Sequence, residues 1–267
     1  MDENYLTGLE TKVIGRRVIH YDKVTSTNDL AWLEIARGAQ EGTVIVANEQ
    51  FKGRGRYGRE WFSPAQKGIW CSIIANIAQF PEDMFMLMAI GAIASVEMLQ
   101  VRYKLPATIR WPNDVMINNK KLAGIIVESK YINTSPNAAV IGIGMNINIT
   151  EPEIPDELKN ITTSIIIEQN KTTELEIKPI ISNLIYAVDR WYQKISAKDT
   201  QSINDAWKKH SSVINKKVTI QIKNSSLEGK LVNLDIYKGI ALEDKDGNVA
   251  WFRGETVEML RPHDKSA

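Results

Sequence analysis

The sequence has a single cysteine, Cys71, among its 267 residues. One thiol cannot form an intramolecular disulfide, and the paired cysteines of a structural zinc site are absent from the sequence. This cysteine usage is typical of proteins that work in a reducing compartment. The sequence therefore predicts a cytoplasmic protein.

An excess of charge of either sign is also missing, because 33 lysine and arginine residues face 32 aspartate and glutamate residues. The net charge of +1 gives no overall field that would attract the chain to nucleic acid or to an anionic membrane. Electrostatic recognition must therefore be local. With 43% hydrophobic and 24% charged residues, the composition is that of a globular protein and excludes the disordered and collagen-like classes.

Secretory and membrane-spanning segments are not indicated. The N-terminal residues MDENYLTGLE carry acidic side chains and lack the basic start and apolar stretch of a signal peptide. The longest apolar run, 84–96, contains Gly91 and Ser95 and is shorter than the roughly 20 residues that span a bilayer. We expect this run to form a buried core helix that begins at a cap on Asp83, and we expect no membrane partner.

Apolar periodicity and helix-start signals predict a mixture of helices and strands up to residue 212. The hydroxyl of Ser26, with Asp29 three positions later, predicts a helix start, and Gly38 ends that helix. Further helices are predicted over 84–100, 174–195 and 204–210. Strands are predicted over 43–47, 68–75, 108–111, 114–117, 121–129 and 138–149, with a turn at 118–119.

After residue 213 the sequence changes to short β-type runs. These runs cover 218–222, 227–234, 240–242 and 249–252, and Asp246-Gly247 marks a tight turn. A strand about every ten residues is typical of a small barrel-like module. We therefore expect two domains, residues 1–212 and 213–267.

The most informative segment is 50–61, QFKGRGRYGREW, in which glycines alternate with arginines. Glycine lets the backbone approach a ligand closely, and guanidinium groups donate forked hydrogen bonds to phosphate or carboxylate. The segment therefore predicts an anion site. It lacks the Gly-Lys-Ser/Thr ending of a P-loop. A dinucleotide-binding fingerprint requires a helix directly after the glycines, and none is predicted there. A basic surface loop that contacts nucleic acid nonspecifically is the alternative interpretation.

Two later segments place polar residues among apolar ones. In RWPNDVMINNKKLAGIIVE (110–128), a turn and a solvated hairpin end are one interpretation. However, Lys121 is followed at once by the small apolar run Leu122-Ala123-Gly124, so its amine is able to face a pocket, where an unpaired charge is costly. In IGIGMNIN (141–148), Asn146 lies on a strand that is otherwise fit for a buried sheet, which suggests contact with a ligand.

Taken together, STN at 26–28, GRGRYGREW, WPND followed by KLAGI, and IGIGMNIN occur in the order and approximate spacing of the biotin protein ligases, also called biotin-[acetyl-CoA-carboxylase] ligases. The chain resembles this family from residue 26 to the C-terminal module. The resemblance implies an α+β fold: a catalytic domain similar to class II aminoacyl-tRNA synthetases and lipoyl ligases, with a mixed, mainly antiparallel sheet and flanking helices, followed by an SH3-like barrel.

The resemblance also implies a reaction. ATP would activate biotin to biotinyl-5'-AMP with release of pyrophosphate, and the biotinyl group would pass to a lysine of a biotin carboxyl carrier protein, with Mg²⁺ as cofactor. Lys121 would then act as an electrophilic stabiliser and not as a nucleophile, and Arg56 would retain the adenylate. Asp29 stands where some members have glutamine, and the resemblance assigns it no role.

The site residues that the resemblance implies fall into four groups. Lys121, Arg56 and Arg54 would be catalytic. The biotin-binding residues would be Ser26, Thr27, Asn28, Gln50, Arg54, Gly55, Arg56, Lys121 and Gly124. The ATP and adenylate would contact Arg56, Trp61, Asn113 and Asn146. Asp114 would bind Mg²⁺.

The sequence also bears on two alternative functions and on two partners, DNA and a second copy of the chain. A lipoate or octanoate protein ligase or transferase has the same fold, but the complete GRGRYGREW motif argues against it. A noncatalytic nucleic-acid-binding module is disfavoured by the balanced net charge. About 25 residues precede Ser26, too few for a three-helix DNA-binding domain, so we expect a ligase without repressor function and without a DNA partner. A homodimer through edge strands near 138–149 is an open alternative.

Overall fold

The computed structural model describes residues 1–2, 5–76, 84–132, 135–223, 225–254 and 256–263. These residues form a seven-stranded sheet, a five-stranded sheet and flanking helices, which is the predicted α+β class. The helices are α1 (Thr27–Ala36), α2 (Met84–Tyr103), α3 (Ile165–Glu168), α4 (Ile177–Ser196) and α5 (Thr200–His210). The strands of the larger sheet are β1 (Arg17–Val24), β2 (Thr43–Gln50), β3 (Gly68–Ala75), β4 (Thr108–Arg110), β5 (Asp114–Ile117), β6 (Lys120–Ile132) and β7 (Ser135–Asn146).

The larger sheet is mixed and mainly antiparallel, as predicted. Its strand order is β1-β2-β3-β7-β6-β5-β4, and in this sheet the β1–β2 pair is parallel while the pairs from β2 to β4 are antiparallel. Parallel neighbours need a crossover connection, and α1 provides it. Ser26 caps α1, because its Oγ accepts a hydrogen bond from the Asn28 backbone N–H at 3.3 Å. The first turn of α1 therefore lies beside the ends of β1 and β2.

Helix α2 is the centre of the core. It is long and apolar enough to cross a membrane by length and composition, yet 72% of its most apolar window is buried inside the protein. Its neighbours are β6 on the sheet and the helices α4 and α5. The prediction of a buried core helix is confirmed, whereas the predicted cap on Asp83 lies outside the described residues.

The smaller sheet has the strand order β11-β10-β9-β8-β12 and is antiparallel throughout. Its strands are β8 (Lys217–Ile222), β9 (Ser225–Asp235), β10 (Gly239–Glu243), β11 (Val249–Phe252) and β12 (Met259–Pro262). It packs against the larger unit, since Phe85 at the start of α2 fills the space where a Cβ on Gly254 would lie, 2.2 Å from the ring. The division into residues 1–212 and 213–267 stays a prediction.

Several element boundaries differ from the sequence-based expectations. The predicted strand 138–149 is β7 over Ser135–Asn146, because the backbone N–H groups of Ile147 and Asn148 leave the ladder and bond to the Lys67 carbonyl. The predicted helix 204–210 begins earlier, at Thr200, because the Asp199 carboxylate accepts a hydrogen bond from the Ser202 N–H. The helix predicted over 174–195 covers Ile177–Ser196, and the strand predicted over 108–111 covers Thr108–Arg110.

Candidate active site

The inner part of the site is built on the first turn of α1. Ser26, Thr27 and Asn28 are at most 3% exposed. The Gln50 Oε1 accepts hydrogen bonds from the Thr27 backbone N–H at 2.8 Å and from its hydroxyl at 3.1 Å. Ser72 on β3 lies behind them, with its Oγ 2.6 Å from Asn28 Oδ1. The polar groups of this turn are therefore held in fixed orientations by β2 and β3.

Two buried donors on residues that line the inner cavity have no hydrogen-bond partner among the described residues. They are Asn28 Nδ2 and Trp61 Nε1, and both residues line a cavity of about 40 Å³. An unsatisfied buried donor costs about 1–3 kcal/mol. The cavity is therefore suited to a ligand that carries hydrogen-bond acceptors.

Glycines on β7 make room for these two side chains. A Cβ on Gly142 would lie 2.5 Å from Asn28 Oδ1, and a Cβ on Gly144 would lie 2.4 Å from Trp61 Nε1. Both separations are too short for real contacts. Since residues two apart on a strand share a face, the Gly-Ile-Gly pattern of β7 forms the floor of the site.

The glycine and arginine loop forms the outer wall. Its turn is closed by hydrogen bonds from the Gly55 N–H to the Arg59 carbonyl at 2.7 Å and from the Trp61 N–H to the Gly53 carbonyl at 2.9 Å. Tyr57 has a φ of 58°, in the left-handed region. The loop is thus a compact turn, and its residues 54–56 line the inner cavity.

Arg56 lies between the inner cavity and a larger outer one. Its guanidinium donates to the Tyr57 hydroxyl at 2.7 Å and to Asn113 Oδ1 at 3.4 Å, and it stacks 4.8 Å from the centre of the Tyr57 ring. These described partners are neutral. Because its charge is not balanced by them, Arg56 is able to neutralise an anionic ligand.

Lys121 reaches the site through a β-bulge. The pairing of β5 with β6 shifts between Val115 and Met116, so that Leu122 is an extra residue on β6. Regular alternation would place Lys121 and Gly124 on opposite faces, but the bulge brings them to one face, where a Cβ on Gly124 would lie 3.1 Å from the Lys121 Nζ. The lysine ammonium is therefore directed into the cavity.

Asp114 holds that ammonium in place. Its Oδ1 lies 2.5 Å from the Lys121 Nζ, and its Oδ2 accepts a hydrogen bond from the Arg110 guanidinium at 2.8 Å. Burial alone would raise the pKa of this carboxyl, but the charges of Lys121 and Arg110 hold its pKa below the usual range. The Trp61 ring centre lies 4.9 Å from the same ammonium.

The prediction that Asp114 binds Mg²⁺ does not fit this geometry. Both carboxylate oxygens already face cations, Lys121 on one side and Arg110 on the other. Magnesium prefers carboxylate and phosphate oxygens that are free to enter its coordination shell. Asp114 is therefore committed to Lys121 and Arg110.

Every residue predicted for the site lines one of two adjoining cavities. The inner cavity is lined by the predicted residues Ser26, Thr27, Asn28, Gln50, Arg54, Gly55, Arg56, Trp61, Asn113, Lys121 and Gly124. The outer cavity, of about 300 Å³, adds Asp114 and Asn146. Asn146 is 3% exposed, and its Nδ2 donates to the Thr163 carbonyl at 3.0 Å, so part of its polar capacity holds the neighbouring loop.

The sequence did not predict three other contributions to the lining. Cys71 lies in the wall of the inner cavity, and burial raises the pKa of its thiol to about 12, so it stays protonated. Ile161 and its neighbours border the outer cavity, and the Lys121 backbone pairs with this segment through an N–H to the Ile161 carbonyl at 2.7 Å. Glu258, Met259 and Leu260 close the outer cavity from the smaller sheet. The signal for the last group was weak, because β12 is a short edge strand.

Comparison with known proteins identifies the family. A family model described as the biotin/lipoate A/B protein ligase family matches residues 21–146. The bifunctional ligase/repressor BirA of Bacillus spizizenii is 30% identical over 240 residues, which cover 90% of this chain and 73% of that protein. The chain belongs to the biotin protein ligase family. The resemblance predicted from the ordered motifs is confirmed.

Other relatives of this ligase family agree in sequence and fold. The biotin--[acetyl-CoA-carboxylase] ligase of Paracoccus denitrificans is 28% identical over 191 residues, which cover 69% of this chain and 77% of that protein. A structure of the biotin protein ligase from Aquifex aeolicus, in complex with biotin and ATP, has a TM-score of 0.78 at 24% identity and covers 92% of this chain and 98% of that chain. The predicted catalytic fold with its SH3-like C-terminal region is confirmed.

Proposed function

We propose that this biotin protein ligase activates biotin with ATP to biotinyl-5'-AMP and transfers the biotinyl group to a lysine of a biotin carboxyl carrier protein. The observation that carries the proposal is the position of Lys121 and Arg56 where the two cavities meet. A carboxylate held in the inner cavity and a triphosphate in the outer one would meet between these two cations. The named activity of the relatives and the ligands of the Aquifex aeolicus structure support the same assignment.

The inner cavity suits the biotin head group. Asn28 Nδ2 and Trp61 Nε1 are buried donors in need of acceptors, and the ureido carbonyl and carboxylate of biotin offer them. A lipoyl or octanoyl chain lacks a polar head group, so it would leave buried donors unpaired. This difference favours biotin over the related acids.

In the first step, the biotin carboxylate attacks the α-phosphate of ATP and pyrophosphate leaves. Negative charge builds up on the phosphoryl oxygens, and cations already in position stabilise it without reorganisation. Arg56 has neutral described partners and is available for this role. The same contact would retain the adenylate, while the loop keeps water from the mixed anhydride.

In the second step, the amine of the carrier lysine attacks the activated carbonyl and AMP leaves. Lys121 donates a hydrogen bond to the carbonyl oxygen, where negative charge develops, and its ammonium is oriented for this by Asp114. Lys121 forms no covalent bond in this scheme. Magnesium would be bound mainly by the phosphates of the nucleotide, and it would supply charge neutralisation.

Exchange of labelled pyrophosphate into ATP tests the first half-reaction. The purified protein is incubated with ATP and magnesium, and biotin, lipoate or octanoate is supplied in parallel. We expect exchange with biotin alone. Exchange with lipoate or octanoate only would move the substrate to the sister acids, and exchange with none of the three would refute the ligase proposal.

A further inference from the structure

Arg54 joins the glycine and arginine loop to two separate elements of the cavity wall. Its Nη1 lies 2.5 Å from Asp29 Oδ1 in the first turn of α1, and its Nη2 lies 3.2 Å from Glu128 Oε1 on β6. One guanidinium thus bridges carboxylates that are 25 and 74 positions away in the sequence. We name this group of three residues the Arg54 clamp.

One of the two carboxylates, Glu128, is also held by a partner other than Arg54. Glu128 Oε2 accepts a hydrogen bond from the Trp32 indole N–H at 2.9 Å, so α1 also orients the carboxylate on β6. The ammonium of Lys130 lies 4.6 Å from the centre of the Trp32 ring and holds the indole in turn. A carboxylate oriented in this way loses little side-chain entropy when it pairs with Arg54.

The clamp holds the loop in a closed position. The inner cavity encloses only about 40 Å³, whereas sites for small organic ligands usually enclose about 300–1,000 Å³. Movement of residues 54–56 away from the wall would widen this cavity for a ligand of the size of biotin. Such a movement separates Arg54 from Asp29 and Glu128.

We propose that Asp29 and Glu128 are positioning residues, which act through Arg54 to set the balance between the open and closed loop and so the retention of biotin and its adenylate. The inference rests on the proposed function and deepens it. It also gives a role to Asp29, for which the family resemblance provides none. Neither carboxylate touches the reacting atoms in this assignment.

The size of the effect follows from the exposure of the pairs. The Arg54 and Asp29 side chains are 39% and 42% exposed, and pairs of this kind shift an equilibrium by a few-fold each. Two pairs on one guanidinium would together shift loop opening by about tenfold. Salt screens exposed pairs, so the effect should shrink at high ionic strength.

The first test measures the loop without any ligand. Hydrogen exchange is followed at the Lys52 amide, which joins the base of the loop to the Thr25 carbonyl at 2.9 Å, and at the Gly55 and Trp61 amides within the loop. We expect Asp29→Asn and Glu128→Gln each to speed exchange a few-fold and the double variant to speed it about tenfold. Asp29→Glu should restore protection. Asp246→Asn, at an exposed turn of the smaller sheet, removes the same charge and should change nothing.

The second test measures ligand retention in the same variants. We expect the biotin dissociation rate to rise by the same factor as loop opening, and the difference to disappear in about 1 M salt. KM and kcat should change less, because an open loop also admits biotin faster. Wild-type exchange rates in the double variant would overturn the clamp, and faster exchange with unchanged biotin retention would overturn its role. If the wild-type protein bound no biotin, the proposed function would fail, while the exchange measurement would still decide whether the clamp exists.

Discussion

The Lys121 ammonium lies 2.5 Å from the Asp114 carboxylate, although a regular β5–β6 pairing would turn the lysine away from its neighbour Gly124. The extra residue Leu122 shifts the alternation of side chains along β6 by one position, which brings Lys121 to the face of Gly124. The ion pair with Asp114 then fixes the lysine side chain. Because Arg110 occupies the second oxygen of Asp114, the carboxylate is committed to orientation. In the proposed mechanism, the chemistry at Lys121 therefore depends on a residue that need not touch the substrate.

Asp114→Asn should impair biotin transfer more than biotin binding. The substitution removes the negative charge that orients Lys121, and displacement of a catalytic group by about 1 Å costs on the order of a hundredfold in rate. We expect kcat to fall by at least tenfold, with a smaller change in the KM for biotin. Steady-state kinetics with a carrier domain measure both. Asp156→Asn, which removes an exposed ion pair with Lys159, is the control and should retain activity. An unchanged kcat in Asp114→Asn would contradict the orienting role.

Arg56→Gly should let the adenylate escape. Without the guanidinium, the acyl phosphate loses its principal counter-charge at the junction of the cavities, so biotinyl-5'-AMP diffuses away and reacts with exposed lysines. Mass spectrometry of an added unrelated protein would count its biotinylated lysines. Arg56→Lys keeps the charge and should give intermediate labelling, since an ammonium lacks the forked donors. Strict selectivity for the carrier in Arg56→Gly would mean that another group retains the intermediate.

Gly144→Ala should block the inner cavity while the fold persists. The new Cβ would lie 2.4 Å from Trp61 Nε1, and the indole cannot move without losing its packing on Gly124. Overpacking of this kind costs about 1–3 kcal/mol. Calorimetry should detect biotin binding weakened at least tenfold. Gly91→Ala, a core substitution on α2 with its Cβ 3.2 Å from Ile125, serves as the matched control and should leave biotin binding intact.

The Glu97 carboxylate on α2 should make the free energy of unfolding depend on pH. His210 and Trp191 hold the pKa of Glu97 below its usual range, with the His210 Nε2 3.6 Å and the Trp191 Nε1 2.9 Å from its carboxylate oxygens. A lowered pKa in the folded state means that the stabilisation is complete above the unfolded pKa of about 4.3 and is lost as the pH falls further.

Urea unfolding of the wild type and Glu97→Gln between pH 7 and pH 3.5 measures this dependence. We expect the wild type to have the higher free energy of unfolding from pH 7 to about pH 5, and the difference to shrink below about pH 4.3. Glu34→Gln provides a comparison at a second carboxylate, which accepts a hydrogen bond from the Tyr21 hydroxyl at 3.4 Å. Its unfolding is measured over the same pH range. A difference that stayed constant down to pH 3.5 would show that packing of Glu97, and not its charge, stabilises the helices.

Much of the fold was accessible from the sequence because its signals are local. The helix start at Ser26, the buried run 84–96 and the turn at Asn118-Asn119, where both residues have positive φ, are recognisable from neighbouring residues. Strand β1 was missed because Arg17, Asp22 and Lys23 interrupt its apolar pattern at the edge of the sheet. Edge strands are half solvated, so their sequences carry a weaker signal.

The sequence by itself determined which residue types the site contains and the family to which they belong. Only the tertiary structure decided which of these residues contact one another and in which direction their side chains are held. The bulge that turns Lys121, the two cations that occupy Asp114, and the pairing of Arg54 with Asp29 and Glu128 all depend on strand register and on helix packing across the chain. The physical reason is that spacing along the chain fixes local geometry, whereas contacts between distant residues are fixed when the sheet closes over its core.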